Sequence, residues 1–381
     1  MSRGRLRSAA RRGLVRVVAA LAVAVIAAVV AAAAAPGTLL AQTPTRWDLD
    51  LVIAKADRMN VALTGVTSKG YRCARVARPD GRFVPQHVAI LMALPRQTGV
   101  VPKTSDIQVV VGRPEEERFE RTINTLAGRG YELCGFTIAE SSSIGQRAYG
   151  LVAVMERLEQ RAASGVSYRV VRTRRREDWP HMEATAAEGY ALAHMVARPG
   201  ATTDITHDNH YVVEKRPGAE RPLAYRLDGS GHEFDLQQRL DRAAKDGYRA
   251  DTMWPEHDTI TMLLSRPVEG AWEGRREYVV DEGNWARTSV VTGPSIRFVP
   301  FKGSLFAFYD KHGATQDHAN EGTIDDSDRR PARPSGDERG LLGRINVDGS
   351  RGYWPVDFAV RQPEPGSARL AAIVVMGRDK R

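Results

Sequence analysis

The sequence predicts an α+β fold, a tandem array of about five β-α-β-β repeats whose helices cover one face of small antiparallel or mixed sheets. Three observations carry this. A Gly-Tyr pair stands at Gly70-Tyr71, Gly130-Tyr131, Gly189-Tyr190, Gly247-Tyr248 and Gly352-Tyr353, in steps of 60, 59, 58 and 105 residues, and so regular a period marks a structural repeat. Seven residues before each glycine stand Leu63, Ile123, Met182, Leu240 and Ile345, and five after each tyrosine stand Val76, Phe136, Met195, Met253 and Phe358, all apolar. Each copy then closes on an apolar run that reaches an arginine: Leu91 to Arg96, Val154 to Arg157, Val212 to Arg216, Met262 to Arg266 and Val375 to Arg378.

Before the first copy, Arg3, Arg5, Arg7, Arg11, Arg12 and Arg16 precede an uninterrupted apolar run from Val17 to Ala35, with no acidic residue before Asp48. Basic-then-apolar order is that of an export signal, and Leu39-Leu40-Ala41 offers a cleavage site, so residues 1–41 are expected to be a signal peptide. The run is long enough to span a bilayer, which makes an uncleaved anchor the alternative. Arg11-Arg12-Gly13-Leu14-Val15 also permits a twin-arginine route. The net charge of +9 falls to +3 without these six arginines, and the remaining basicity does not call for nucleic acid.

The first copy (46–105) opens with a strand at Asp48 to Ile53, turns at Pro79-Asp80-Gly81 and returns at Val88 to Leu94. The second (106–165) states the pattern most clearly. Phe119, Ile123 and Leu126 recur at the spacing of one buried helix face. Gly130 then ends the helix, because the position after a helix often takes the left-handed conformation that costs a residue with a Cβ about 1 to 2 kcal/mol. The third copy (166–222) opens at Tyr168 to Val171 and the fourth (223–274) at Tyr225 to Leu227, with Leu236, Leu240 and Ala243 along its helix. The fifth (275–381) opens at Tyr278 to Val280 but reaches its Gly-Tyr pair only after an added stretch at about 282–339. That stretch begins rich in aromatic residues and continues as a segment expected to be mobile. Gly340 and Gly343 predict a short or absent helix there. In the strands after Gly-Tyr, alternation puts the third and fifth residues past each tyrosine on the helix-covered face.

Leu126-Ala127 followed by Gly130-Tyr131-Glu132-Leu133, and the later Val154-Met155-Glu156-Arg157, resemble a family of small uncharacterised bacterial domains built as strand, helix, strand, strand, in which a glycine-aromatic pair starts the second strand. The third and fourth copies share this through Ala186-Ala187-Glu188-Gly189-Tyr190 and Ala244-Lys245-Asp246-Gly247-Tyr248, while the first and fifth depart from it in their helices. The resemblance implies the fold and brings no catalytic residue, ligand or cofactor.

Searches for a nucleophile elbow, a His-Glu-x-x-His helix, a phosphate-binding glycine loop and a Cys-x-x-Cys pair find none. The expected function is that of an exported, non-catalytic binding or structural repeat protein of the bacterial envelope, without a cofactor, whose partner is a protein or polysaccharide. Its candidate binding residues are Arg297, Phe298, Phe301, Lys302, Phe306, Phe308 and Tyr309, where aromatic rings stand among basic side chains. The alternative is a secreted metal-dependent hydrolase in which Asp204, His207 and His210 hold zinc at a hairpin tip. Cys73 and Cys134 lie in corresponding strands, two and three residues past their tyrosines, hence on opposite faces. They are expected to be buried thiols.

Overall fold

Five helices end in the same way. After α1 (Met59–Thr67), α2 (Glu117–Ala127), α3 (Trp179–Ala187), α4 (Glu233–Lys245) and α5 (Leu341–Ser350), the glycine of each Gly-Tyr pair has φ between 80° and 90°. After the last four, the tyrosine N–H donates to the carbonyl five residues earlier, at Leu126, Thr185, Ala243 and Asp348, over 2.8 to 3.4 Å. The turn satisfies helix carbonyls that would otherwise be orphaned, and glycine enters it without a Cβ penalty. Helix α5, expected to be short or absent, spans ten residues. Burial of Leu341, Leu342 and Ile345 outweighs the cost of about 1 kcal/mol that a glycine such as Gly343 imposes inside a helix.

This computed structural model describes residues 46–80, 86–96, 105–113, 117–141, 148–158, 165–173, 179–197, 209–218, 221–230, 233–256, 259–270, 272, 278–283, 290–292, 295–301, 304–310, 315–324, 340–361 and 370–379. Among them, no helix is long and apolar enough to cross a membrane. The first unit has strands β1 (Arg46–Lys55), β2 (Arg72–Ala77), the short β3 (Pro79–Asp80) and β4 (His87–Arg96). The second has β5 (Ser105–Gly112), β6 (Glu132–Ser141) and β7 (Ala148–Leu158), and the third β8 (Ser167–Thr173), β9 (Ala191–Ala197) and β10 (Asn209–Lys215). The fourth has β11 (Leu223–Ser230), β12 (Arg249–Glu256) and β13 (Thr259–Pro267). Each forms an antiparallel sheet with its last strand in the middle, in the orders β1-β4-β2, β5-β7-β6, β8-β10-β9 and β11-β13-β12.

Two more sheets follow where the spacing suggested one interrupted copy. Strands β14 (Tyr278–Gly283), β16 (Ser295–Phe301) and β17 (Ser304–Asp310) pair in the same order, β14-β17-β16. Among the described residues no helix stands between β14 and β16; those residues form only the short β15 (Val290–Thr292). Strands β18 (Thr315–Ile324), β19 (Trp354–Arg361) and β20 (Leu370–Asp379) repeat the order with α5, and β18 occupies part of the stretch expected to be mobile. The step of 105 residues thus spans two units. Gly-Tyr is a device for ending a helix, so a unit without a helix carries no such mark.

Every helix packs on its own sheet and on the first strand of the following unit: α1 on β5, α2 on β8, α3 on β11, α4 on β14 and α5 on β1. The second strands also touch in succession, β2, β6, β9, β12, β16 and β19, and β19 returns to β2. Six units therefore close into a ring with their second strands innermost. Closure is hydrogen-bonded too, since β3 pairs in parallel with β19 through Val360 opposite Pro79. The cores follow this stacking. Met59, Leu63, Ile90 and Met92 from the helix side of the first unit pack with Val109, Val152 and Val154 from the back of the second. The back of the first unit, Leu49, Leu51 and Leu91, packs with Leu341, Ile345 and Val374 of the last.

Helix side chains also cover the outer edge strands. Asn346 accepts from Leu49 N–H at 2.7 Å and donates to its carbonyl at 3.0 Å. Asn60 clasps Val109, and Asn124 clasps Tyr168, in the same way. One amide offers both a donor and an acceptor, so it satisfies both groups that an edge strand leaves unpaired.

A bulge recurs in the second strands. Ala74, Cys134, Ala193, Asp251 and Val356, each the third residue after its tyrosine, are skipped in the pairing with the middle strand, as is Ile296 of the helix-free unit. A bulge reverses the alternation of faces, which corrects the expectation that the third and fifth residues share the helix side. Ala74 packs into the core behind the first sheet, whereas Val76 packs under α1.

The cysteine expectation is also overturned. Cys73 and Cys134 are bridged, with Cα atoms 6.2 Å apart. They do lie on opposite faces, as the sequence implied, but the units stack face to back. The helix side of the first sheet meets the back of the second, so opposite faces are the ones that face each other.

Candidate functional site

The six innermost strands bring residues from distant parts of the chain, most of them polar, onto one circle. Directly after the bulge stand Arg75, Gly135, His194, Thr252 and Asp357, with Arg297 at the equivalent register in the helix-free unit. Arg75 crosses the junction between last and first units. Its Nε donates to the Val356 carbonyl at 2.8 Å and its Nη1 to the Ala74 carbonyl at 2.7 Å. Burial pulls its pKa down, while the nearby Asp357 opposes that change. Gly135 serves close approach, since a Cβ there would lie 2.4 Å from Val76 Cγ2.

Next to the bulges of the first three units a backbone N–H loses its place in the ladder, and the following unit supplies an acceptor, as buried donors require. Cys73 N–H donates to Glu156 Oε1 at 3.1 Å, Leu133 N–H to Tyr168 Oη at 3.0 Å and Leu192 N–H to Tyr225 Oη at 2.8 Å. Burial pushes the Tyr168 hydroxyl up to about 12. It likewise raises Glu156, against the Cys73 N–H and the Arg72 charge, which lower it.

The sign of that shift gives a test. A carboxyl whose pKa is raised by folding contributes stability that is present below its ordinary value of 4.5 and lost as pH rises through the folded-state value. Glu156→Gln removes this dependence. Urea unfolding at pH 4 and pH 7 is therefore expected to show the variant gaining on the wild type at the higher pH, and a gain at the lower pH would contradict the assignment.

The closing arginines of the repeats have structural work nearby. Arg157 lies 5.0 Å from the centre of the Tyr131 ring, and Arg266 5.0 Å from that of Tyr248. Arg216 instead pairs with Glu214 and Glu132, and Arg96 with Asp48.

Of the candidate binding residues, Arg297, Phe298 and Phe301 fall in β16, and Phe306, Phe308 and Tyr309 in β17; Lys302 lies outside the described residues. Phe308 is 0% exposed, in the core with Leu236, Leu240 and Met253, so it is removed from the candidate surface. The side chains of the others lie outside the described residues. The register nevertheless divides the aromatic positions. Phe301, Phe306 and Phe308 share one face, and Phe298 and Tyr309 the other.

Of the metal candidates, Asp204 and His207 lie outside the described residues. His210 is in β10, opposite Arg172 and Val196, and only 2% exposed. It belongs to the sheet and not to the hairpin tip where it was expected. Among the described residues no group of three His, Cys, Asp or Glu side chains could hold a metal ion.

Sequence reasoning passed over the inner circle because its members are chemically unlike one another, and repeats were sought by likeness. The position four past each tyrosine was available as a signal, but the apolar residue beside it was the one that recurred. No protein-family model, curated protein or solved structure matches the chain. The register places arginine, histidine, threonine and aspartate residues of separate units at equivalent positions of the innermost strands.

Proposed function

We propose that this chain is an exported, non-catalytic ring of the bacterial envelope that binds a partner or supports other components. The observation that carries the reading is the Cys73–Cys134 bridge between the innermost strands of the first two units. Structural disulfides persist in oxidising compartments outside the cytosol. The arginine-rich, then apolar N-terminal sequence has the order of an export signal and supports the same direction.

Expression of the full chain in a bacterium, followed by fractionation and intact-mass measurement with thiol alkylation, tests this. The expected product lies outside the cytosol, is shortened by the N-terminal segment and carries two oxidised cysteines. A bridged chain retained on the outer side of the membrane at full length supports the anchored form of the same reading. A full-length cytosolic chain with two alkylated thiols overturns it. Against the metal-hydrolase alternative, His210 is buried within β10, while Asp204 and His207 lie outside the described residues.

A further inference from the structure

Strand β2 holds Arg72 and Arg75, and Arg78 directly follows it; the first two have evident partners. Arg72 interacts electrostatically with Glu156, and Arg75 donates to the Val356 and Ala74 carbonyls. Arg78, just past the strand, differs. Its guanidinium carbon lies 5.4 Å from the centre of the Tyr149 ring, while its Nε and Nη1 are buried and have no hydrogen-bond partner. Arg157, Arg169, Arg226 and Arg249 also stack on rings, but each pairs with a carboxylate, at Asp106, Glu188, Asp246 and Asp251. The nearby Glu140 carboxylate accepts the Tyr149 hydroxyl at 3.0 Å.

Burying charged donors without an acceptor is costly, and an orphan of this kind calls for a specific explanation. We propose that Arg78 and the Tyr149 ring form a subsite for a small oxyanion group, a carboxylate or a phosphate, carried by the ligand of this ring. An oxyanion on either edge of the guanidinium takes one of the orphaned nitrogens, and the planar fork suits two parallel hydrogen bonds to such a group. The ring of Tyr149 holds the guanidinium from its face. The first and second units meet here, so an anion at this position binds across a unit boundary.

This deepens the binding reading by naming a ligand chemistry, and it is tested apart from export, since it uses purified chain. Inorganic phosphate and acetate are titrated into the full chain at constant ionic strength, with chloride as the control, while the thermal midpoint and the Arg78 Nε–H resonance are followed. Binding to the folded state raises the midpoint by linkage. Phosphate, acetate or both are expected to raise it and to move the resonance; the effective probe identifies the oxyanion class. Arg78→Met loses the midpoint shift, and Arg78→Lys, which keeps the charge without the fork, shows a smaller one. An equal shift in Arg78→Met overturns the proposal, as does an Arg78 resonance unmoved by either probe. If Arg78→Met does not fold, the wild-type resonance decides alone.

Discussion

The double variant Cys73→Ala, Cys134→Ala is expected to lose about 4 kcal/mol of folding stability, the entropy that a cross-link across some sixty residues removes from the unfolded chain. The two cysteines are separated by 61 residues, one full unit. Bridging corresponding strands of neighbouring units restrains the unfolded chain and ties its first unit to the second, while the opposite flank of the first unit meets the last. Urea unfolding of oxidised wild type and of the variant, analysed with a common slope, reads the difference. Reduction of the wild type should approach the same value. A loss below about 1 kcal/mol would mean that the reduced chain retains structure or that the bridge strains the fold, as happens for some engineered disulfides.

At the ring junction, Gly349→Ala is expected to destabilise by about 1 to 3 kcal/mol, the usual cost of overpacking. Helix propensity alone predicts the opposite sign, since alanine is favoured over glycine inside a helix by about 1 kcal/mol. The difference lies in what the new Cβ meets. It would stand 2.3 Å from the Trp47 carbonyl oxygen and 3.2 Å from its carbon, and backbone of β1 cannot turn away as a flexible side chain can. Helix α5 must then shift from the strand that it clasps through Asn346. Gly65→Ala in α1 is the control, because nothing lies within 4 Å of its added Cβ and only propensity should act. Hydrogen exchange at Leu49 N–H is expected to quicken in Gly349→Ala and stay unchanged in Gly65→Ala. Equal effects of the two substitutions on stability would show that the close approach does not hold the junction.

Several features were legible because they are local. Where a helix stops depends on a glycine in the left-handed conformation and on bonds spanning five residues, and Gly130, Gly189 and Gly247 announce it in sequence. The buried face of a helix is equally local, so Phe119 and Ile123 or Leu236, Leu240 and Ala243 follow from the turn of 3.6 residues. The α+β class and the tandem repeats with helices on one sheet face rest on such signals. The missed unit is the complementary case: strands β14, β16 and β17 pair like the others, but among the described residues no helix stands between β14 and β16, and the Gly-Tyr marker that located their neighbours is absent from the sequence there.

The site was less legible because its members are brought together by stacking. Arg78 meets Tyr149 from 71 positions away, and nothing local distinguishes it from Arg72 or Arg75. By itself the sequence determined the period, the helix ends and the apolar faces, which short-range sterics and backbone hydrogen bonds control. Only the tertiary structure decided that six units close into a ring, that Cys73 reaches Cys134 and that Asn346 clasps Leu49. Those outcomes depend on which face of one unit meets which face of the next, and such contacts form between surfaces whose residues are far apart along the chain.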